Sequence, residues 1–233
     1  MKYKRQEHSV LYLDRYLIVS GSFSIELEQA YRRVERYDIA RDKWEDLPMM
    51  NVGRALHSSV AFNDRFAFVF CGERMPTGGL TTSIERYDVQ KETAGWREIR
   101  ISTTKNDLTR ARQVPAIIQL NDKEILIMGG FAISSALKGL FQGEAGGVDG
   151  LPDIYVYNIH KKSIVRVDDP EIPAAQAQKI HPWHFATVSM LPHVAITFNY
   201  DSNAIIEVQV PLKGQKNRRP ETRVVEDFGI HLR

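Results

Sequence analysis

An all-β fold built from repeated four-stranded units is predicted by three observations in this 233-residue chain. The first is a near-copy: "VERYDIARDKWEDLPMM" runs from Val34 to Met50, and "IERYDVQKETAGWREI" follows from Ile84 to Ile99, an offset of 50 between the two Glu-Arg-Tyr-Asp segments. The second is a landmark upstream of each copy, "RQEH" at Arg5–His8 and "RALH" at Arg54–His57, an offset of 49. The third is a pair of short apolar runs between landmark and copy, broken each time by Asn or Asp. Fixed-period self-similarity decides architecture, so it is read before anything else.

In the first unit the apolar runs are "SVLYL" and "YLIVSGS", separated by Asp14-Arg15. In the second they are "SSVAF" and "FAFVFCGE", separated by Asn63-Asp64-Arg65. Asn and Asp tolerate the left-handed backbone angles of tight turns, so each pair reads as a hairpin ending at Gly21 or Gly72. A loop follows, then the Tyr-Asp strand with Tyr37 or Tyr87, a polar turn, and a strand carrying Trp44 or Trp96. A third unit has looser spelling. "RARQVPAIIQLNDKEILIMGG" supplies the arginine, the hairpin and Gly129-Gly130. "DIYVYNIHKKSIVRV" supplies the last two strands, with Tyr157-Asn158 for Tyr-Asp and Val165 or Val167 in the Trp slot. A fourth unit, "HPWHFATVSMLPHVAITFNY" and then "AIIEVQV", keeps little beyond His184 and the strand pattern.

Four-stranded units at a period of about fifty residues are the signature of propeller blades. The R-x-x-H landmark, the apolar strand ending in glycine, the Tyr-Asp strand and the Trp strand together resemble the kelch repeat. The resemblance covers roughly Arg5 to Val210 and is specific in the first half. The expected fold is therefore a kelch-type β-propeller, or a partial one, of about three to four antiparallel blades. The expected boundaries are 1–53 for blade 1, 54–109 for blade 2, 110–177 for blade 3 with a long loop over 131–152, 178–210 for a degenerate blade 4, and 211–233 for a basic tail or closing strand. Kelch propellers commonly close with roughly five to seven blades. Three explanations stand for the shortfall: a part of a longer propeller, which is preferred, closure by another chain, or an unusually small ring. Gly21, Gly72, Gly129 and Gly130 are expected to allow close backbone approach. Trp44 and Trp96 are expected to pack against neighbouring blades, because one thin sheet cannot bury them alone.

Bulk composition excludes several function classes. The chain is 43% hydrophobic and 26% charged with a net charge of +2, so nothing global calls for nucleic acid or an anionic membrane. A lone cysteine, Cys71, rules out an intrachain disulfide, and the apolar runs are strand-sized. With no leader-like N-terminal segment, a cytoplasmic location is the expectation.

Blade strands alternate direction, so the loop between strands two and three shares a face with the loop between blades. Those loops are long: "SFSIELEQAYRR", "ERMPTGGLTTS", "FAISSALKGLFQGEAGGVDGLP", and interblade segments such as "ISTTKNDLTRARQ". Long irregular loops on a rigid scaffold are where binding usually lives. The resemblance implies a non-enzymatic module that offers this face to a protein or peptide, as scaffold, adaptor or assembly subunit. Arg54, Arg110 and Arg112 look like the residues that line the family's central opening, and arginines suit carboxylates, so an acidic partner is expected. The opposed reading is that Arg54 and His57 only hold adjacent blades together. Arg32, Arg33 and Arg74 are further candidate contacts, or solvated loop charges. Phe131 and Phe141 are candidate apolar anchors. Self-association, or completion of another protein's propeller, remains open.

Enzyme signatures are poor. His181, His184 and His193 lie across a strand and a turn without regular ligand spacing, so no metal or other cofactor is expected. "MPTGGLTTS" lacks the Gly-Lys-Ser/Thr ending of a phosphate loop. The alternative reading is a carbohydrate-active isomerase resembling the sialic acid mutarotases, or an oxidase, on the same scaffold. Fold alone does not choose.

Overall fold

The computed structural model describes residues 1–23, 30–101, 111–132, 149–150, 154–166, 184–191, 194–199, 204–209 and 221–227. Among these, the protein is all-β, with four four-stranded antiparallel sheets and two two-strand pieces. Sheet I comprises Ser9–Leu13, Tyr16–Ser20, Val34–Asp38 and Lys43–Leu47. Sheet II comprises Ser58–Phe62, Phe66–Phe70, Ile84–Asp88 and Arg97–Ile99. Sheet III comprises Ala116–Gln119, Glu124–Met128, Ile154–Asn158 and Ser163–Arg166, and sheet IV comprises His184–Leu191, Val194–Asn199, Ala204–Gln209 and Glu221–Asp227. In each, every strand pairs with its neighbours in the chain. The stretch that the sequence left as tail or closing strand thus contributes Glu221–Asp227, paired with Ala204–Gln209.

The chain forms two compact units, one of residues 1–102 with 108–113, the other of 103–107 with 114–233. The first unit holds sheets I and II. Their hairpins turn at Asp14 (φ 58°) and at Asn63 and Asp64 (φ 50° and 48°), the left-handed angles that these side chains accept. The same angle recurs inside the landmark itself. Glu7 and Leu56 both sit at φ 52°, two residues after Arg5 and Arg54, and Val114 sits at φ 40°, two after Arg112. The backbone kink therefore survives into the third repeat, where Pro115 stands in place of the histidine.

Two alignments made from the sequence need correction. The second hairpin turn is one residue longer than the first, so Ser20 corresponds to Phe70 and Gly21 to Cys71, not to Gly72. Gly21, Cys71 and Gly129 share one left-handed conformation, with φ of 67°, 59° and 60°. In sheet III, Tyr157 lies opposite Ile164, as Tyr37 lies opposite Trp44. Ile164 is buried and takes the Trp slot, whereas Val165 points the other way and is exposed.

Directly opposed residues share a sheet face, and alternate residues share it along a strand. One face of sheet I carries Leu11, Leu13, Ile18, Val34 and Leu47. These pack with Met50 against Ala67, Val69, Tyr87 and Trp96 of sheet II. Each such aliphatic side chain, once buried, contributes about 1.5–3 kcal/mol. In the second unit, Ala116, Ile118, Leu120, Leu126 and Met128 form a separate cluster with Val156. The first strand of sheet III there lies beside the first strand of sheet IV.

Candidate functional site

The landmark arginines meet the glutamates of the Tyr-Asp strands. Arg5 reaches Glu35 through Nε at 3.0 Å and Nη2 at 2.9 Å, and its Nη1 donates to the carbonyls of Gly21 and Arg33 at 2.7 and 2.9 Å. Arg54 repeats the arrangement fifty residues on. Its Nη2 donates to Glu85 at 2.8 Å, and its Nη1 donates to the carbonyls of Cys71 and Ser83 at 2.9 and 3.2 Å. Both ion pairs are essentially free of solvent. Glu85 also accepts from the backbone N–H of Asn51 (2.7 Å) and of Val52 (3.0 Å), and from Asn51 Nδ2 (2.9 Å). Glu35 likewise accepts from the Lys2 backbone N–H at 2.7 Å. Each carboxylate thus ties the segment entering a sheet to that sheet's third strand.

Contacts from one repeat to the next use the same landmark. The Ser22 N–H donates to the Arg54 carbonyl (3.1 Å), as the Gly72 N–H donates to that of Arg112 (2.8 Å). His57 is hydrogen-bonded through Nε2 to Ser20 Oγ at 2.8 Å. Burial, and then the Arg54 charge beside it, hold the His57 pKa well below the usual histidine value. Burial pushes the Cys71 thiol up to about 11, which removes it as a nucleophile. Gly21 fits because a Cβ there would lie 2.3 Å from the Arg54 carbonyl oxygen and 2.5 Å from His57 Cε1.

These positions correct the expectation that Arg54, His57 and Arg112 face a partner. All three are buried. A guanidinium wholly enclosed and bonded to a carboxylate and two carbonyls of its own unit is out of a partner's reach, so Arg54 is a fastening between elements. Arg32 donates from Nε to the Met50 carbonyl at 2.7 Å. Arg33 donates to the Tyr3 hydroxyl at 2.7 Å and stacks on that ring at 4.4 Å. Both are anchored to their own unit, while Arg74 is exposed. Phe131 is described through its backbone alone, paired with Gly150, and Arg110 and Phe141 lie outside the described residues.

Two surfaces are left for recognition in the first unit. One is the second face of sheet I, carrying Val10, Tyr12, Leu17, Tyr37 and Trp44. Val10 is 49% exposed and Tyr12 60%. The equivalent face of sheet II is closed: Ala67, Val69 and Tyr87 are wholly buried and Trp96 is 5% exposed. Tyr37 and Trp44 meet at 5.1 Å with their planes tilted by 37°, and Tyr87 and Trp96 stack at 5.4 Å. The Tyr37 hydroxyl bonds Asp42 near the surface, whereas burial lifts the Tyr87 phenol to about 12. Trp44 therefore packs on its own sheet, and only Trp96 packs on a neighbouring one.

The second surface is an open depression of about 160 Å³ at the short-turn end of sheet II, lined among others by Arg65, Phe66, Arg86, Asp88, Lys91 and Arg97. Arg65 grips Asp88 with Nε at 3.0 Å and Nη2 at 2.7 Å, and this pairing holds the carboxyl below its usual range. Arg65 and Arg86 both stack on the Phe66 ring, at 4.8 and 4.7 Å. Sequence reasoning singled out neither Glu35 and Glu85 nor this cluster. The signals were present: the two glutamates recur at an offset of 50, and "WED" becomes "WRE" between the copies.

Among the described residues no three His, Cys, Asp or Glu side chains are grouped to hold a metal ion, and no helix is long and apolar enough to cross a membrane. Compared with known proteins, the chain matches no family model and none of the curated proteins.

Proposed function

We propose that this chain is a non-enzymatic protein–protein interaction module of the kelch propeller type, working as a subunit of a larger assembly. The reading rests on the repeated sequence units and, above all, on the face of sheet I where Val10 and Tyr12 stand exposed beside Leu17, Tyr37 and Trp44. The same face of sheet II buries a Tyr–Trp pair and two aliphatic residues under Leu11, Leu13, Ile18 and Leu47. A contiguous apolar face of this kind marks an interaction site. The occupant that suits it is a partner protein's β-sheet with an aliphatic face of the kind sheet I offers to sheet II.

The test is the mass of the full chain by light scattering, purified alone and in extract of cells that express it, beside the variant Val10→Asp/Tyr12→Asp. Both positions are exposed, so the variant is expected to keep its thermal stability. The unaltered chain is expected in an assembly larger than the monomer, and the variant at monomer mass. A second copy in the assembly would identify self-association, and a different chain a heteromeric partner. A monomer in both settings, or a variant that stays assembled, refutes the reading.

A further inference from the structure

We infer that the depression on sheet II is a binding site for a dianionic phosphate group. The repeat supplies the comparison. In sheet I, Arg15 and Arg36 stack on Tyr16 at 5.0 and 4.6 Å, as Arg65 and Arg86 stack on Phe66. Arg15 pairs with Asp38 at 3.4 Å, as Arg65 pairs with Asp88. The two constructions diverge at the cross-strand neighbour. Opposite Arg36 stands Glu45, which accepts from Arg36 Nε at 2.8 Å, and Glu92 closes on the same guanidinium through Nη1. Opposite Arg86 stands Arg97. Two carboxylates satisfy the arginine of the first repeat; among the described residues none pairs with Arg86, Lys91 or Arg97.

Like charges directly opposed across strands repel, so the Arg86–Arg97 pair is unfavourable unless an anion lies between. Arg65, Arg86, Lys91 and Arg97 against the single Asp88 leave an excess of three positive charges around the depression. What is missing, relative to Arg36, is two negative charges. A phosphate monoester carries about −1.5 to −2 at neutral pH and offers three acceptor oxygens, whereas one carboxylate restores half of that charge. Arg86 lies over the Phe66 ring at 4.7 Å, which restrains its planar donor fork, and such a fork suits phosphate. The site lies at the short-turn end of the sheet, away from the long loops, and needs no residue of the proposed assembly face.

Phosphate of this kind reaches a protein either free or on a phosphorylated peptide segment. The experiment titrates the full chain, at constant ionic strength, with inorganic phosphate, with a phosphoserine peptide and with its serine counterpart. The arginine Nε–H resonances are followed by NMR. Arg86 and Arg97 signals are expected to shift saturably with both phosphate probes and not with the serine peptide. Arg97→Glu, which rebuilds the charge pattern of the first repeat at an exposed position, is expected to weaken binding by about tenfold or more while thermal stability holds or rises. Tighter binding of the phosphopeptide assigns the site to a phosphorylated protein segment, and equal affinity assigns it to free phosphate. Linear, non-saturating shifts, or unchanged affinity in Arg97→Glu, overturn the inference.

Discussion

Glu85 is the position where the structure makes its most demanding prediction. Its carboxylate is fully buried and receives four hydrogen bonds, from Arg54, twice from Asn51 and from Val52. Replacing it with Leu leaves the Arg54 guanidinium enclosed without a counter-charge, and half-broken buried pairs of this kind cost about 3–5 kcal/mol. Against a total stability of about 5–15 kcal/mol, that is a large fraction. Arg54→Met is the milder change, at about 2–4 kcal/mol, since Glu85 keeps its three donors from Asn51 and Val52. The double variant removes both charges together. Its loss is expected to fall short of the sum of the singles by about 1–3 kcal/mol, the coupling typical of a direct buried contact. Urea denaturation measures all four proteins, with the midpoint shift taken at constant m. A Glu85→Leu loss below about 1 kcal/mol would mean that water reaches the pair. Strict additivity would mean that the two groups do not act as a pair, and either result removes the fastening role assigned to Arg54.

Three other expectations follow from the same region. His57 is held below the ordinary histidine value of 6.5, chiefly by burial, and the half-buried His8 is lowered too. The unfolded chain therefore takes up protons near pH 6.5 that the fold refuses, so stability is fully present above that pH and declines as pH falls from 7 to 5. Melting temperature against pH checks this, and a flat or rising profile in that window contradicts it. The Cys71 thiol, raised to about 11 and enclosed, should resist alkylation at pH 8 until denaturant is added; rapid labelling in buffer would contradict its burial. Gly21→Ala should cost about 3 kcal/mol or more, strain and collision combined. Gly78 also has positive φ, but a Cβ added there would meet no atom within 4 Å, so Gly78→Ala should cost about 1–2 kcal/mol. Equal losses at the two glycines would mean that the Arg54 carbonyl and His57 move aside freely.

The strand order of sheets I and II was legible because periodicity and turn chemistry act locally. "SVLYL", "YLIVS" and "IERYD" form strands at the positions that the apolar runs, the Asn and Asp turns and the repeat imply. What the sequence could not supply was depth. An arginine in R-x-x-H is spelled the same whether it lines an opening or lies enclosed against Glu85, and only the long-range pairing decides between them. Single-residue register escaped for a related reason. One extra residue in a turn moves Gly72 off the Gly21 position while leaving the motif looking intact. Tyr157 to Ile164 escaped likewise, because an aliphatic residue can occupy a Trp slot without leaving a readable trace.

A repeat that keeps its backbone while exchanging side chains works as an internal control, and it bears on function more than any motif in the chain. Where the copies agree, as in Arg5–Glu35 and Arg54–Glu85, both members are buried, and agreement reflects the demands of folding. Where they differ in environment but not in residue type, as in Tyr37–Trp44 against Tyr87–Trp96, the difference is cover: Tyr87 and Trp96 lie buried under sheet I, whereas Tyr12, on the face that carries Tyr37 and Trp44, is exposed. Where they differ in residue type on a conserved frame, as in Glu45 against Arg97, folding does not require the change, because the first copy shows the neutral pairing in place. A charge reversal that adds cross-strand repulsion and, among the described residues, gains no carboxylate partner is unfavourable for the free chain. An external anion would offset that repulsion, which is why Arg97, rather than the buried Arg54, is the arginine to mutate in search of a ligand.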